Sequence, residues 1–403
     1  MKEGIYMVLS LGIILLGGFI VGILFEKIRL PKIVGMLIYG ILLGPSLLNI
    51  VSIDLINISA SLRQIALVII LTRSGLSLNI KSLKEIGRPA ILMSLIPATF
   101  EIIGILIFGP LLLKISYVEA LLIGTILAAV SPAIIVPRMI KLQNEKFGTN
   151  KQIPELIMAG ASVDDIYVII LFYAFLGLNE GSSLNVLTFI QIPLAIIIGV
   201  LVGVVIGYII SYLFKKLNFN KLTKTLILLS TSLVLVGLEN LLSPYIQISF
   251  LLSIVTIGIV ILFKNKENAK VLNESYNSLW SFFEIMLFVL VGISVDLNYA
   301  ISSGFMPIIL LIMGLLFRTI GVYLSLLFTK YNFKEKLFII ISYLPKATVQ
   351  ASIGGIALSL GLDIGPLALT ISVLSILITA PIGAILMDNT YKRLLLQEPF
   401  NAY

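Results

Sequence analysis

Residues 154–176 read PELIMAGASVDDIYVIILFYAFL. Read as a helix, the stretch is long and apolar enough to cross the roughly 30 Å hydrocarbon core of a bilayer. Midway along it stand two carboxylates, in Ala161-Ser162-Val163-Asp164-Asp165. An ionisable group at that depth is costly and marks an ion path or a buried partner. Successive helical residues point about 100° apart, so one carboxylate can face a cavity while the other faces a neighbouring helix. Two carboxylates this close in low dielectric cannot both stay ionised cheaply. The pair therefore takes up a proton or a small cation but not both, and that competition is the chemistry of exchange.

The rest of the chain is of the same kind. Of its 403 residues, 59% are hydrophobic and 12% charged, with a mean hydropathy of +1.12. No soluble domain solvates such a surface. The apolar runs are continuous rather than alternating, which excludes a β-barrel. The sequence predicts an all-α polytopic membrane protein of thirteen spans, near 4–25, 33–48, 62–78, 89–112, 117–137, 154–176, 187–214, 224–240, 245–263, 277–293, 304–329, 335–360 and 364–387. The first lacks the basic flank and cleavage site of a signal peptide and is kept as a span. No linker or soluble domain is expected, and 403 falls about sixteen residues past the last span, which leaves no room for a nucleotide-binding tail. Cys and His are both absent. Thiol chemistry and imidazole relays are thereby excluded, and proton chemistry falls to carboxylates or lysines.

Lys and Arg set the orientation. One set of alternate loops holds 22 of the 28 basic residues, among them Lys81, Lys84, Arg138, Lys141 and Lys151. The opposite loops hold Lys2, Arg63 and Lys114. The N-terminus is therefore expected outside and the C-terminus in the cytoplasm. The net charge of +8 is read as cytoplasmic loop charge, and no nucleic-acid partner is expected.

Few other charges lie within spans. Glu101 and Arg318 are mid-span and opposite in sign, which predicts a buried pair fixing two helices near the site. Lys346 stands in Leu344-Pro345-Lys346-Ala347-Thr348-Val349-Gln350, where proline and polar residues interrupt the span. Ala129-Val130-Ser131-Pro132 interrupts 117–137 in the same way. Broken helices at matching positions in two halves point to a transporter binding site, where freed carbonyls near Ser131 and the Ser162 hydroxyl would complete an oxygen shell. The matching order of spans predicts inverted repeats, about 33–214 and 245–387, with core helices near 89–176 and 304–387. Arg73 either snorkels or gates. Glu284 lies two turns into its span and is a weak funnel candidate.

Together, Ala161-Ser162-Val163-Asp164-Asp165, Ser131-Pro132 and Pro345-Lys346-Ala347-Thr348-Val349-Gln350-Ala351 resemble the monovalent cation/proton antiporter superfamily, in the branch of sodium/proton antiporters that includes the animal NHA-type exchangers. The resemblance covers essentially the whole chain. It implies an antiporter fold with two crossed broken helices, a plasma-membrane homodimer with dimer and core domains, and elevator-type alternating access. It implies no enzyme activity and no cofactor beyond the transported Na⁺ or Li⁺ and H⁺. Asp165 would be the main ion-carrying carboxylate and Asp164 its partner. Many paired-Asp members place a lysine where this chain has Arg318, which here resembles the arginine that pairs with a glutamate, Glu101. An arginine does not deprotonate, which favours one-for-one exchange and leaves Lys346 as the candidate for any second proton. K⁺/H⁺ antiport, a sodium-coupled organic-anion symporter and an uncoupled channel or receptor remain as alternatives.

Overall fold

The computed structural model describes residues 2–78, 85–179, 186–217, 219–242 and 248–398. Lys81, Lys84 and positions 245–247, where the ninth expected span and second expected repeat begin, lie outside them. Among the described residues there is no β-strand, only an antiparallel bridge between Phe147 and Gln397. The helices are α1 (Lys2–Lys27), α2 (Lys32–Leu43), α3 (Ile53–Ser77), α4 (Arg88–Leu113), α5 (Tyr117–Ala128), α6 (Pro132–Asn144), α7 (Ile153–Asn179), α8 (Val186–Lys216), α9 (Lys221–Leu242), α10 (Phe250–Lys264), α11 (Lys266–Ile293), α12 (Leu297–Ser302), α13 (Met306–Ser325), α14 (Phe333–Ser342), α15 (Thr348–Ile353), α16 (Ile356–Ser359) and α17 (Gly365–Leu394).

Ten helical stretches among the described residues are long and apolar enough to cross a membrane. Three of the thirteen expected spans fall on shorter pieces. α2 and α10 have 12 and 15 residues, and 335–360 is divided among α14, α15 and α16. The last division has a local cause: Pro345 cannot donate to the preceding turn, so α14 stops at Ser342 and helix resumes at Thr348. α5 stops at Ala128 and α6 restarts with Pro132 as its first residue, the position where a missing N–H costs nothing. Elsewhere helices outrun the apolar stretch. α11 begins at Lys266, where the Asn265 side chain accepts from Asn268 N at 3.0 Å. An N-cap can start a helix in polar sequence that a hydropathy reading leaves out.

The chain divides into two compact units. One comprises Met1–Ala60, Asn79–Phe172 and Phe288–Tyr403 and contains every residue of the candidate site. Within it α4 packs along α13 and α5, and α17 packs on α14 and α16. α4 and α13 approach closely at Gly321, where a Cβ would lie 2.8 Å from Pro97 Cα. Small residues at such a contact let two membrane helices bring their polar side chains face to face.

The second unit comprises Ser61–Leu78 and Tyr173–Leu287. Its α8 packs on α10, with Ser253 Oγ donating to Gly199 O at 2.7 Å. Arg73 lies in this unit, its guanidinium 5.9 Å from the Trp280 ring centre. Glu284, one turn further along α11, is buried.

Candidate functional site

The site forms where the two helix breaks meet. Ser131 N donates to Pro345 O at 2.9 Å, joining break to break. The Lys346 backbone N–H donates to Thr379 Oγ1 of α17 at 2.9 Å, anchoring the second break from behind. α5 therefore ends with carbonyls that have no partner within the helix, and donors from other elements supply them. Gln350 Nε2 lies 3.0 Å from Ile126 O and 2.9 Å from Ala129 O, and Arg318 Nη1 donates to Ala128 O.

Arg318 is the hub. Its Nε donates to Tyr343 O at 2.8 Å, at the C-terminal end of α14. Nη1 donates to Glu101 Oε2 at 2.9 Å and Nη2 to Asp164 Oδ2 at 3.0 Å. The guanidinium thus meets two carboxylates and the partial negative ends of two helices. A planar fork with five donors suits this arrangement and an ammonium does not. Lys346 Nζ lies 2.8 Å from Glu101 Oε1 and 2.9 Å from Oε2. The expected Glu101–Arg318 pair is present, and it is part of a longer network in which Asp164, Arg318, Glu101 and Lys346 follow one another. All four side chains are at most 1% exposed.

The two aspartates are unlike. Asp164 Oδ2 accepts from Arg318 and from Val130 N at 2.9 Å. Asp165 is 5% exposed, and its Oδ1 is buried without a hydrogen bond. Oδ1 of Asp164, Oγ of Ser131, Oγ1 of Thr348 and Oε1 of Gln350 are in the same condition. The Ser162 hydroxyl donates to Met158 O at 2.8 Å, which leaves its lone pairs for another partner. The carbonyls freed by the first break are less available than the sequence suggested, because Gln350 and Arg318 already donate to them.

Arg73 and Glu284 lie outside this network, in the other compact unit. Four participants carried no usable signal of role in the sequence. Val130 acts through its backbone N–H, and Tyr343 through its carbonyl and through its ring, 5.4 Å from the Arg318 guanidinium. Thr379 is one of several hydroxyls in α17. Gln350 stood out as polar within a span but had no assigned partner.

Comparison with known proteins bears on what such a site does. The family described as "Sodium/hydrogen exchanger, transmembrane" matches residues 12–388. "Sodium/hydrogen exchanger 9B2" of Homo sapiens is 33% identical over 383 residues, covering 91% of this chain and 70% of that protein. "Sodium/hydrogen exchanger 9B1" of Homo sapiens is 32% identical over 385 residues, covering 89% and 71%. In fold, the chain is similar to the sodium proton antiporter MjNhaP1 from Methanocaldococcus jannaschii at pH 8, with a TM-score of 0.82 and 22% identity over 97% of this chain and 99% of that one.

Proposed function

The chain belongs to the sodium/hydrogen exchanger family, transmembrane antiporters of Na⁺ and H⁺ rather than enzymes, and we propose that it carries its ion on Asp165, with Asp164 as the fixed partner. The observation that carries this reading is the difference between the two carboxylates. Asp164 Oδ2 is held by Arg318 and the Val130 N–H. Asp164 thus leaves only its Oδ1 unpartnered, whereas among the described residues no protein donor reaches Asp165, whose Oδ1 is buried. A buried carboxylate oxygen without a partner is costly, and a proton or a small hard cation relieves that cost.

Charge balance supports one-for-one exchange. The ionised network holds three carboxylates, Glu101, Asp164 and Asp165, against Arg318 and Lys346, which leaves one negative charge. One Na⁺ or one H⁺ brings it to zero. The two cargoes exclude each other, and the loaded core is neutral in either case. Na⁺ and Li⁺ fit an oxygen set made of the carboxylates, the unpartnered Oγ of Ser131, which follows the Val130 that donates to Asp164, and the lone pairs of Ser162, two residues before Asp164.

In the cycle, Asp165 exchanges H⁺ for Na⁺ while the core opens to one side, and the loaded core then carries the ion across in an elevator movement. On this reading the chain makes thirteen spans, with the N-terminus outside, the C-terminus cytoplasmic, the two broken helices crossing in inverted repeats and the site at mid-membrane. The protein works as a plasma-membrane homodimer, drawing on ion gradients without a cofactor. Asp165→Asn is the test. It is expected to abolish Na⁺-dependent proton movement in proteoliposomes, and exchange at an undiminished rate by that variant would sink the assignment.

A further inference from the structure

We propose that Gln350 is a positioning residue for the ion site, holding through a single peptide plane the backbone N–H that binds Asp164. The proposal rests on the reading of Asp164 and Asp165 as that site. The Gln350 side chain is fully buried against the last turn of α5. Its Nε2 lies 2.9 Å from Ala129 O, 3.0 Å from Ile126 O and 3.4 Å from Leu127 O. Three acceptors facing one atom fix it as the amide nitrogen, since an oxygen there would be repelled.

Ala129 O belongs to the peptide group whose N–H sits on Val130. That N–H donates to Asp164 Oδ2 at 2.9 Å. The hydrogen bonds therefore run from the Gln350 amide into the Ala129 carbonyl and out through the Val130 N–H to the carboxylate. A carbonyl that accepts a hydrogen bond polarises its own N–H, strengthening the next bond by on the order of 10–30%. The clamp also has mechanical work to do. Val130 lies between the end of α5 at Ala128 and the start of α6 at Pro132, so no helical ladder holds its peptide plane. Ala128 O, one residue earlier, is held by Arg318 instead. Charged and neutral donors thus divide the break between them, and the neutral one controls the plane that reaches Asp164.

The titratable and charged groups around Asp164 are Asp165 on its own helix, Arg318 from α13, Tyr343 and Lys346 from the break after α14, and Glu101 from α4 through Arg318. Changing Gln350 leaves all of them in place. Gln350→Met keeps the length and loses the donors. In proteoliposomes this variant should need a higher pH for half-maximal Na⁺-driven proton release, because an ionised carboxylate that loses its donor competes less well against the proton. The midpoint is expected to move by on the order of half a pH unit, equivalent to about a threefold rise in apparent KM for Na⁺ below the midpoint. The saturating rate at alkaline pH should fall less than the rate below the midpoint. An unshifted midpoint with unchanged KM, or a fall in saturating rate alone, overturns the proposal. If Q350M does not purify as a monodisperse protein, the neutral Q350L, which also lacks the amide donors, decides, with a shift expected in the same direction. Failure of both to fold would leave Gln350 a structural role only and also overturns the proposal. Asp165→Asn, run in parallel, separates the two levels: if it retains exchange the ion-site reading fails, whatever the Gln350 variants do.

Discussion

Arg318 holds together the C-terminal ends of α5 and α14 and the carboxylates of Glu101 and Asp164. Its removal would leave two buried carboxylates short of a countercharge. Arg318→Ala is expected to destabilise the protein by about 3–5 kcal/mol, measured by thermal melting in detergent. Arg318→Lys keeps the charge but cannot span two carboxylates and two carbonyls. It should fold better than the alanine variant while transporting at least about tenfold more slowly, the equivalent of about 1.4 kcal/mol. Wild-type transport by Arg318→Lys would show that the fork geometry is dispensable. At this scale the sequence singled out charges that the structure buries. Asp164, Asp165, Glu101, Arg318 and Lys346 stand out because ionisable groups are rare in apolar runs. Of the pairings, Glu101–Arg318 was legible, while Arg318–Asp164 and Lys346–Glu101 were not. The Asp164–Arg318 contact joins α7 to α13, helices far apart in the chain, and a backbone N–H such as that of Val130 looks the same at every residue.

At the scale of elements, the helix that carries the aspartates is tied down just before it begins. The 145–149 loop between α6 and α7 pairs with the segment after α17: Gly148 N donates to Leu396 O at 2.8 Å and Glu398 N to Lys146 O at 2.9 Å. Two residues further on, Lys151 Nζ meets Glu335 Oε2 at 2.8 Å, and Glu335 is 1% exposed. Lys151→Ala removes the countercharge and leaves that carboxylate only the Asn332 N–H as donor, and should cost about 3 kcal/mol. Arg138→Ala breaks a pair whose partner, Asp388, is 36% exposed, and should cost about 1 kcal/mol or less. Equal melting shifts for the two variants would argue against Glu335 as a buried anchor. Tyr331 adds a pH signature. Burial first, then Glu335 and Glu155, push its phenol from the ordinary 10.0 up to about 12. The folded state therefore favours the neutral phenol. That contribution is whole below about pH 10 and is lost as pH rises towards 12. Tyr331→Phe should flatten the alkaline fall in melting temperature. Helix existence was well anticipated here, including both breaks, because Pro132 and Pro345 stand beside polar residues, whereas Pro97, Pro110 and Pro381 remain inside continuous helices. Helix ends were anticipated less well. Capping lets α11 begin in polar sequence, and spans expected at 33–48 and 335–360 are shorter or divided.

For the whole molecule, the excess of basic residues in alternate loops and the single uncompensated charge of the buried network bear on one cycle. On the proposed one-for-one cycle the core is neutral with either cargo and no net charge crosses the membrane, so transport should be insensitive to membrane potential. The most direct measurement is Na⁺-triggered fluorescence dequenching in proteoliposomes holding a preset proton gradient. Wild type and Asp165→Asn are compared with the potential clamped and unclamped, and with Li⁺ and K⁺ in parallel. Wild type should dequench on adding Na⁺ or Li⁺, at the same rate with and without the clamp, and Asp165→Asn should not respond. Continued Na⁺-driven dequenching by Asp165→Asn would contradict the assignment of Asp165 as the ion carrier, and a wild-type rate that follows the clamped potential would contradict one-for-one exchange.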